Sequence, residues 1–321
     1  MDTHLRLLQS EQLHILNLSE SVFAQSFPTK SIRYVVPFPP GGITDMMARI
    51  VAQKTSDLWQ QSVVVENKSG GNALIGADFV AKSIPDGHTW LAMTITHAIN
   101  ATLFQETTFN FEKDLSAVSI LGSVPMVVVV SSSQKIYTLN DLTKLGLIRS
   151  LNGGSGGNGT PQHLALELYR QLTNINVQHI PFKGAMAPLF SLIKSDIDFV
   201  ITALPEGLPN IKTGKLRGLS ITSIERHPLV PNIPTTTEMG LAKLMLTSWT
   251  GLMVPSGTSK LNTESINKAV VAVVKKPEIE KQLSEQGFYI VGSTTELAKS
   301  FLNEEILRWR RVINDAKVTV D

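Results

Sequence analysis

The stretch from Tyr34 to Arg49 reads Tyr-Val-Val-Pro-Phe-Pro-Pro-Gly-Gly-Ile-Thr-Asp-Met-Met-Ala-Arg, and it predicts a strand, a turn and a helix in direct succession. The prolines and glycines of residues 37–42 cannot continue a strand, and apolar residues recur at helical spacing from Ile43 onwards. Gly41 and Gly42 lack a Cβ and let a ligand approach the backbone, while the N–H groups of a helix N-terminus attract anions. The stretch is therefore either a plain turn or a site for a carboxylate or phosphate at residues 41–45.

The composition indicates an ordinary globular protein. The chain has 321 residues, a net charge of +2, 17% charged residues and 42% hydrophobic residues, which suits one or two domains. It contains no long block of like charges that would suggest nucleic-acid binding, and it lacks the cysteines needed for disulfides or thiolate metal sites. The histidines show no metal-ligand spacing, and no run of about 18 apolar residues predicts a membrane helix. We therefore expect no nucleic-acid partner, no cofactor and no metal.

The N-terminus has some features of a secretory signal. Val22-Phe23-Ala24 precedes Gln25 in the manner of a cleavage site, but polar and charged residues interrupt the apolar region expected between Leu5 and Leu18. Either the signal has decayed or the chain starts at a different residue. We expect residues 1–25 to be a degenerate signal or disordered N-terminus.

Strand and helix signals alternate twice along the rest of the chain. Alternation of this kind predicts α/β lobes with mostly parallel sheets. The long apolar runs Val124–Val130 and Trp249–Val254 could carry the chain between two lobes. Two α/β lobes joined by two crossing strands form the architecture of a type II periplasmic binding protein, whose ligand lies in the interlobe cleft. We expect one lobe from residues 26–125 and 247–321 and the other from residues 126–246.

Two local predictions accompany this architecture. Leu147–Leu151 is weakly strand-like, and Ser293-Thr-Thr-Glu296 forms a capping box for a C-terminal helix. Leu297 and Leu302 then begin the apolar face of that helix.

A glycine-rich segment from Asn152 to Pro161 is open to three interpretations. Gly154-x-Gly156-x-x-Gly159 matches a dinucleotide fingerprint, yet the following strand ends without the acidic residue that this fold requires. Gly153-x-Ser155-x-Gly157 matches the nucleophile elbow of α/β-hydrolases, but the helix starts too late after Ser155 and no local signal supports Glu206 or His227 as triad partners. The third interpretation is a backbone nest with the hydroxyls of Ser155 and Thr160, facing the first anion site from the other lobe.

The stretch Pro37-Phe-Pro-Pro-Gly-Gly-x-Thr-Asp-x-x-Ala-Arg49 resembles the opening signature of the Bug-type receptors, the extracytoplasmic solute-binding proteins of tripartite tricarboxylate transport systems. The resemblance extends from about residue 26 to the C-terminus, through a series of short motifs in the family's order. These motifs include Val65-Glu-Asn-Lys68, Pro85-Asp-Gly-His-Thr89, Thr96-His-Ala-Ile-Asn100, Ser155-Gly-Gly-Asn-Gly-Thr160, Pro181-Phe-Lys-Gly184, Gly214-Lys-Leu-Arg217, Pro231-Asn-Ile-Pro-Thr235 and Pro255-Ser-Gly-Thr258.

The resemblance implies a monomeric, non-enzymatic periplasmic receptor with a Venus-flytrap action. Such a receptor captures a small organic carboxylate (a di- or tricarboxylate, an acidic amino acid or an aromatic acid) and delivers it to membrane transporter subunits. Carried over by position, the ligand-binding residues would be Gly41, Gly42, Thr44, Asp45, Thr94, Thr96, His97, Ser155, Gly156, Gly159, Thr160 and Ala203. Asp45 would repel a nearby carboxylate and could instead meet a ligand ammonium or order a water.

Two positions depart from the family pattern. Ile43 stands where the family often has a small or hydroxyl residue, and the strand from Ile197 ends in Ile-Thr-Ala-Leu where many relatives carry a polar residue. Both departures point to an altered ligand, aromatic or partly apolar; similar ligand binding by an Ile43→Ser variant would count against this. A serine hydrolase using Ser155 and a ligand sensor built on the same scaffold are the alternative functions.

Overall fold

The computed structural model describes residues 27–104 and 107–316, and this part of the chain contains ten strands and eleven α-helices. The strands are β1 (Ile32–Val36), β2 (Val63–Asn67), β3 (Thr89–Thr94), β4 (Leu115–Ser131), β5 (Leu151–Ser155), β6 (Val177–Pro181), β7 (Phe199–Ala203), β8 (Leu216–Ile221), β9 (Thr247–Pro255) and β10 (Tyr289–Ile290). The helices are α1 (Ile43–Trp59), α2 (Leu74–Ala81), α3 (Ile95–Leu103), α4 (Phe111–Asp114), α5 (Leu139–Ile148), α6 (Pro161–Thr173), α7 (Ala187–Ile193), α8 (Leu204–Lys212), α9 (Lys260–Val274), α10 (Pro277–Ser284) and α11 (Thr295–Ala316). The predicted signal segment, residues 1–25, lies outside the described residues.

One long strand, β4, belongs to two sheets. Up to Pro125 it pairs antiparallel with β9, in a sheet of order β2-β1-β3-β9-β4 whose first three strands are parallel. From Met126 it pairs with β7 and β8, in a second sheet that continues through the parallel strands β7, β5 and β6. Strand β9 starts at Thr247, directly opposite Pro125. On this pairing pattern we propose lobe boundaries at 125/126 and 246/247.

The core follows from the alternation of side chains along β4. Successive residues of a strand point to opposite faces, so Val127 and Val129 pack with α7 and α8, whereas Val128 and Val130 pack with the apolar cluster that contains α6 and α11. Every residue from Val124 to Val130 is buried, because helices cover both faces of the sheet. No helix of the described ranges is both long enough and apolar enough to span a bilayer.

Two local predictions were wrong by a few residues. Leu147 and Ile148 end helix α5, and the strand is Leu151–Ser155, which contains two of the glycines assigned to the loop. At the C-terminal helix the cap is Thr294, whose hydroxyl accepts the N–H of Leu297, because the hydroxyl of Ser293 already accepts the N–H of Ile120 in β4.

Candidate ligand-binding site

Four helices begin at the wall of one cavity between the two lobes. Their N-cap residues are Gly42 for α1, Thr94 for α3, Thr160 for α6 and Ala203 for α8, and all four line the cavity. Each helix follows the carboxyl end of a parallel strand (β1, β3, β5 and β7), and the two sheets present these ends to each other. The cavity has a volume of about 70 Å³. At roughly 10–15 Å³ per water, this volume suits a few waters or a small organic molecule.

Hydroxyl caps hold two of these helix starts in place. The Thr94 hydroxyl accepts the N–H of Thr96 at 3.1 Å, and the Thr160 hydroxyl accepts the N–H of His163 at 3.4 Å. The first-turn N–H groups of a helix have no intrahelical acceptor, and the helix dipole makes that end positive. Among the described residues that line the cavity, none is lysine, arginine or histidine. Among the described lining residues, positive partial charge is therefore supplied by backbone N–H groups.

Asp45 is the first of two acidic residues on the cavity wall. Its carboxylate accepts the N–H of Gly41 at 3.1 Å and a hydrogen bond from the Asn67 amide at 2.9 Å. Arg49 binds it through two nitrogens, with Nε–Oδ2 at 2.8 Å and Nη2–Oδ1 at 3.0 Å. Burial alone would raise the pKa of Asp45, but the hydrogen bonds from Arg49, Asn67 and Gly41 hold it below the usual value. Asp45 therefore shapes the turn and is already neutralised.

Glu206 is the second acidic residue, and it reaches across the interlobe cleft. Its Oε1 accepts the N–H of Ile43 at 3.4 Å, at the start of α1 in the opposite lobe. Its Oε2 accepts the hydroxyl of Thr202 at 2.6 Å, the N–H of Ala203 at 3.3 Å and the Gln162 amide at 3.3 Å. Burial raises the pKa of Glu206, and these hydrogen bonds offset part of that rise.

The structure brings eight of the twelve predicted site residues to this cavity. These are Gly42, Thr44, Asp45, Thr94, Thr96, Gly156, Thr160 and Ala203. Their contact with a ligand stays a prediction.

The other four predicted residues lie outside the cavity lining. Gly41 is exposed, and its N–H donates to Asp45. Gly159 donates its N–H to His163 Nδ1 at 3.0 Å. His97 caps α3: its Nδ1 accepts the Thr94 N–H at 3.1 Å, its ring stacks on Phe111, and it lines a separate cavity.

Ser155, the fourth of these residues, is buried and forms a polar pair with the partly buried His179. Its hydroxyl lies 2.5 Å from His179 Nε2, and the His179 ring stacks on His163 with ring centroids 4.0 Å apart. Burial lowers the pKa of both histidines to about 4, and for His179 the neighbouring His163 adds to this effect. The Ser155 side chain is fully buried behind the cavity wall. Serine and histidine are two of the three members of a hydrolase triad, but neither Ser155 nor His179 belongs to the cavity lining.

The two lobes touch across the cavity. A Cβ added to Gly184 would lie 2.9 Å from Pro39 Cγ, and one added to Gly159 would lie 2.7 Å from Asn72 Nδ2. Gly184 and Gly159 belong to the second lobe, whereas Pro39 and Asn72 belong to the first. Together with the Glu206–Ile43 hydrogen bond, these contacts describe lobes closed around a small space.

Several lining residues were not predicted from the sequence. They are Phe38, Pro39, Met126, Pro161, Gln162, Gly184, Ala185, Glu206 and Ser248. Ile43, which the sequence relates to the choice of ligand, also lines the cavity. Glu206 had a detectable signal, since an acidic residue three positions after a strand end suits the first turn of a helix. Gln162 and Ser248 had none, because only the packing of the two lobes brings them to the cavity.

Comparison with known proteins identifies the family. The model for the family described as "Tripartite tricarboxylate transporter family receptor" matches residues 47–318. The chain belongs to this receptor family. The protein BugT of Bordetella pertussis is 31% identical over 302 residues, which cover 93% of this chain and 93% of BugT. The prediction of a Bug-type receptor is therefore confirmed.

Solved structures of related receptors share the fold. The R. palustris protein Rpa4515, solved with adipate, has a TM-score of 0.88 at 30% identity and covers 91% of this chain and 99% of its own. MatC from Rhodopseudomonas palustris, solved with bound malate, has a TM-score of 0.84 at 26% identity and covers 89% of this chain and 100% of its own. The predicted α/β fold of a two-lobed periplasmic binding protein is confirmed.

Proposed function

We propose that this receptor captures a small organic anion in the periplasm and delivers it to membrane transporter subunits. The observation that carries the proposal is the convergence of four helix N-termini on one interlobe cavity. Each N-terminus is equivalent to roughly half a positive charge. The cavity therefore favours a carboxylate ligand although no basic side chain of the described residues lines it. The adipate and malate in the two R. palustris relatives support this ligand class.

Neutral donors suit a protein that must release its ligand. Hydroxyls and backbone N–H groups bind a carboxylate by hydrogen bonds, and each bond is weaker than one made with a charged partner. The ligand would contact the caps Gly42, Thr94, Thr160 and Ala203 and the neighbouring Thr44, Thr96 and Gly156. Closure of the lobes would surround it, and reopening at the transporter would let it leave.

We propose no catalytic role for this site. The Ser155–His179 pair is the feature that favours a hydrolase, but Ser155 is fully buried behind the cavity wall. In the described part of the chain, no carboxylate hydrogen-bonds to His179 to complete a triad. The pair instead links β5 to the neighbouring strand β6.

We also expect the receptor to act as a monomer and to need no cofactor.

The proposal is tested by thermal-shift and calorimetric screening of the full chain against di- and tricarboxylates, acidic amino acids and aromatic acids. A ligand present at about 100 times its Kd should add roughly 2.7 kcal/mol to the free energy of unfolding. We expect at least one carboxylate to bind.

A pair of matched variants then locates the site. Thr94→Val removes a hydroxyl cap at the cavity, and Thr138→Val removes the same kind of cap from α5, outside the cavity lining. Each should cost roughly 1 kcal/mol of stability, but only Thr94→Val should weaken carboxylate binding, by about tenfold. Equal affinities in the two variants, or no binding of any carboxylate by the wild type, would contradict the proposal.

A further inference from the structure

We propose that the ligand carries a protonated amine as well as a carboxylate, and that Glu206 is the counter-charge for that amine. The inference rests on the proposed function, because it concerns the same cavity and narrows the class of anion to amino acids and related zwitterions. Four observations lead to it: the placement of Glu206, the contacts of its oxygens, an unused acceptor beside it, and the charge balance of the wall.

Glu206 is a cavity residue, although its side chain is 6% exposed. Position 206 is the third residue of α8, and its carboxylate accepts the N–H of the N-cap Ala203. A purely local cap would leave the carboxylate at the end of its own helix. Here Oε1 instead extends to the opposite lobe and meets the N–H of Ile43 at 3.4 Å, beside Gly42. The carboxylate thus occupies the helix N-terminus at which the sequence predicts a ligand anion.

Glu206 and its neighbour Gln162 together form a cluster of acceptors. The Gln162 amide nitrogen donates to the Thr202 hydroxyl at 2.8 Å, to Glu206 at 3.3 Å and to the Ala185 carbonyl at 3.5 Å. The amide oxygen is buried and has no hydrogen-bond partner within the described residues, and the Gln162 side chain, 4% exposed, lines the cavity. A buried acceptor without a donor is costly. A ligand ammonium has three donors and can satisfy both Gln162 and Glu206.

Charge balance favours the same ligand class. Asp45 is neutralised by its two-nitrogen pairing with Arg49, so Glu206 is the acidic group on the described wall that no basic side chain pairs. Four helix N-termini supply roughly two positive charges, and the ionised form of Glu206 offsets one of them. A dicarboxylate would bring two further negative charges to this wall. A ligand that adds an ammonium beside Glu206 leaves the helix ends of α3 and α6 free to hold its carboxylates.

Calorimetry with matched ligand pairs tests the inference. Each pair differs only in the amino group: aspartate with succinate, and glutamate with glutarate. The full chain at neutral pH should bind the amino member of at least one pair tenfold or more tightly. Glu206→Gln keeps the size and the acceptor for Ala203 but removes the charge, so it should abolish this preference. Glu305→Gln is the control, because Glu305 is also 6% exposed but accepts hydrogen bonds from Trp249 and Trp309 outside the cavity lining.

Each outcome has a defined meaning. Equal or tighter binding of the amine-free acids by the wild type would overturn the inference while leaving the carboxylate receptor intact. A preference for the amine that survives in Glu206→Gln would also overturn it. Failure of both members of every pair, and of all other carboxylates, would overturn the proposed function and the inference with it. If Glu206→Gln does not fold, Gln162→Met removes the second acceptor and should reduce the same preference severalfold.

Discussion

Asp45 places a negative charge at the N-terminus of the helix that starts the candidate site, and the surrounding residues explain why an anion can still bind there. Arg49 lies one turn along α1 and contacts both carboxylate oxygens, while Asn67 and the backbone of Gly41 donate to the same group. The pair is half exposed on the arginine side and buried on the aspartate side. It fixes the turn of residues 37–42 and removes a repulsion that would otherwise face the ligand.

Replacing Arg49 with glutamine should therefore weaken ligand binding. The loss of the two charge-assisted hydrogen bonds should cost roughly 1–3 kcal/mol of stability, and the uncompensated carboxylate should raise the Kd for a carboxylate ligand about tenfold. The Asp45 pKa is held below its ordinary value of 3.8. Stability from this carboxylate is present above pH 3.8 and is lost as the pH falls through the lowered value. With glutamine at position 49, the protein should lose less stability as the pH falls below 3.8.

The matched control for this prediction is Arg33→Gln. Arg33 forms an ion pair with Glu66 at 2.8 Å, more exposed than the Asp45 pair and outside the cavity lining. Isothermal titration calorimetry and urea denaturation of both variants check the prediction. If Arg49→Gln binds the ligand as tightly as Arg33→Gln does, the Asp45 carboxylate does not repel the ligand, and the prediction is contradicted.

At the scale of single elements, helix α3 begins with structural contacts of His97, one of the predicted ligand residues. His97 is the third residue of the helix and completes a capping box with Thr94. Burial lowers the pKa of His97 to about 4 from its ordinary 6.5, although the backbone contact with Thr94 opposes this. A base with a depressed pKa contributes stability that is fully present above pH 6.5 and is lost as the pH falls towards 4. Glutamine is a natural capping-box residue and does not titrate.

We expect His97→Gln to keep most of the stability at pH 7, within about 1–2 kcal/mol because it loses ring stacking on Phe111. Between pH 6.5 and 4 the variant should lose up to about 3 kcal/mol less than the wild type. Denaturant titrations at these pH values check this. His163 and His179 remain in both proteins, so the difference isolates His97. Parallel stability curves for the two proteins would contradict the assignment.

Elements with a strong local pattern were predictable from sequence, and those determined by distant packing were not. Helix α1 and its turn follow from proline, glycine and apolar spacing alone. The bounds of strand β5 were not predicted, because the strand contains two glycines and glycine is uncommon in strands. A Cβ at Gly153 would lie 2.3 Å from Leu166, and one at Gly154 would lie 2.5 Å from Ile197, so neighbouring side chains occupy the space that strand residues usually fill.

Helix α11 illustrates a register error. The sequence offers three consecutive hydroxyl residues as caps, and contact with β4 selects Thr294 by engaging Ser293. Leu297, predicted to be on the apolar face, is 62% exposed, and Ala298 is buried in its place. In the candidate site the same limit applies. Hydroxyls at strand ends were predictable and Glu206 had a local signal, whereas Gln162 and Ser248 reach the cavity only through the packing of the two lobes.

At the scale of the whole molecule, function depends on how closely the two lobes can approach. Each lobe contributes two helix N-termini to the cavity, so neither lobe holds the complete site. The loop that contains Pro39 lies against Gly184, where there is no space for a side chain. This contact offers a way to impair closure without changing a residue that donates to the ligand through its side chain.

Gly184→Ala should hold the lobes apart and weaken ligand binding. Its Cβ would lie 2.9–3.3 Å from three atoms of the Pro39 ring, and φ at this residue is +89°. Gly214→Ala is the matched control, because φ is +71° and nothing lies within 4 Å of the added Cβ. Both substitutions should cost roughly 1–2 kcal/mol for an alanine in the left-handed region. Only Gly184→Ala should raise the Kd, by about tenfold or more, and reduce the ligand-induced decrease in radius of gyration measured by small-angle X-ray scattering. If the two variants bind and compact alike, the contact between Gly184 and Pro39 does not govern closure.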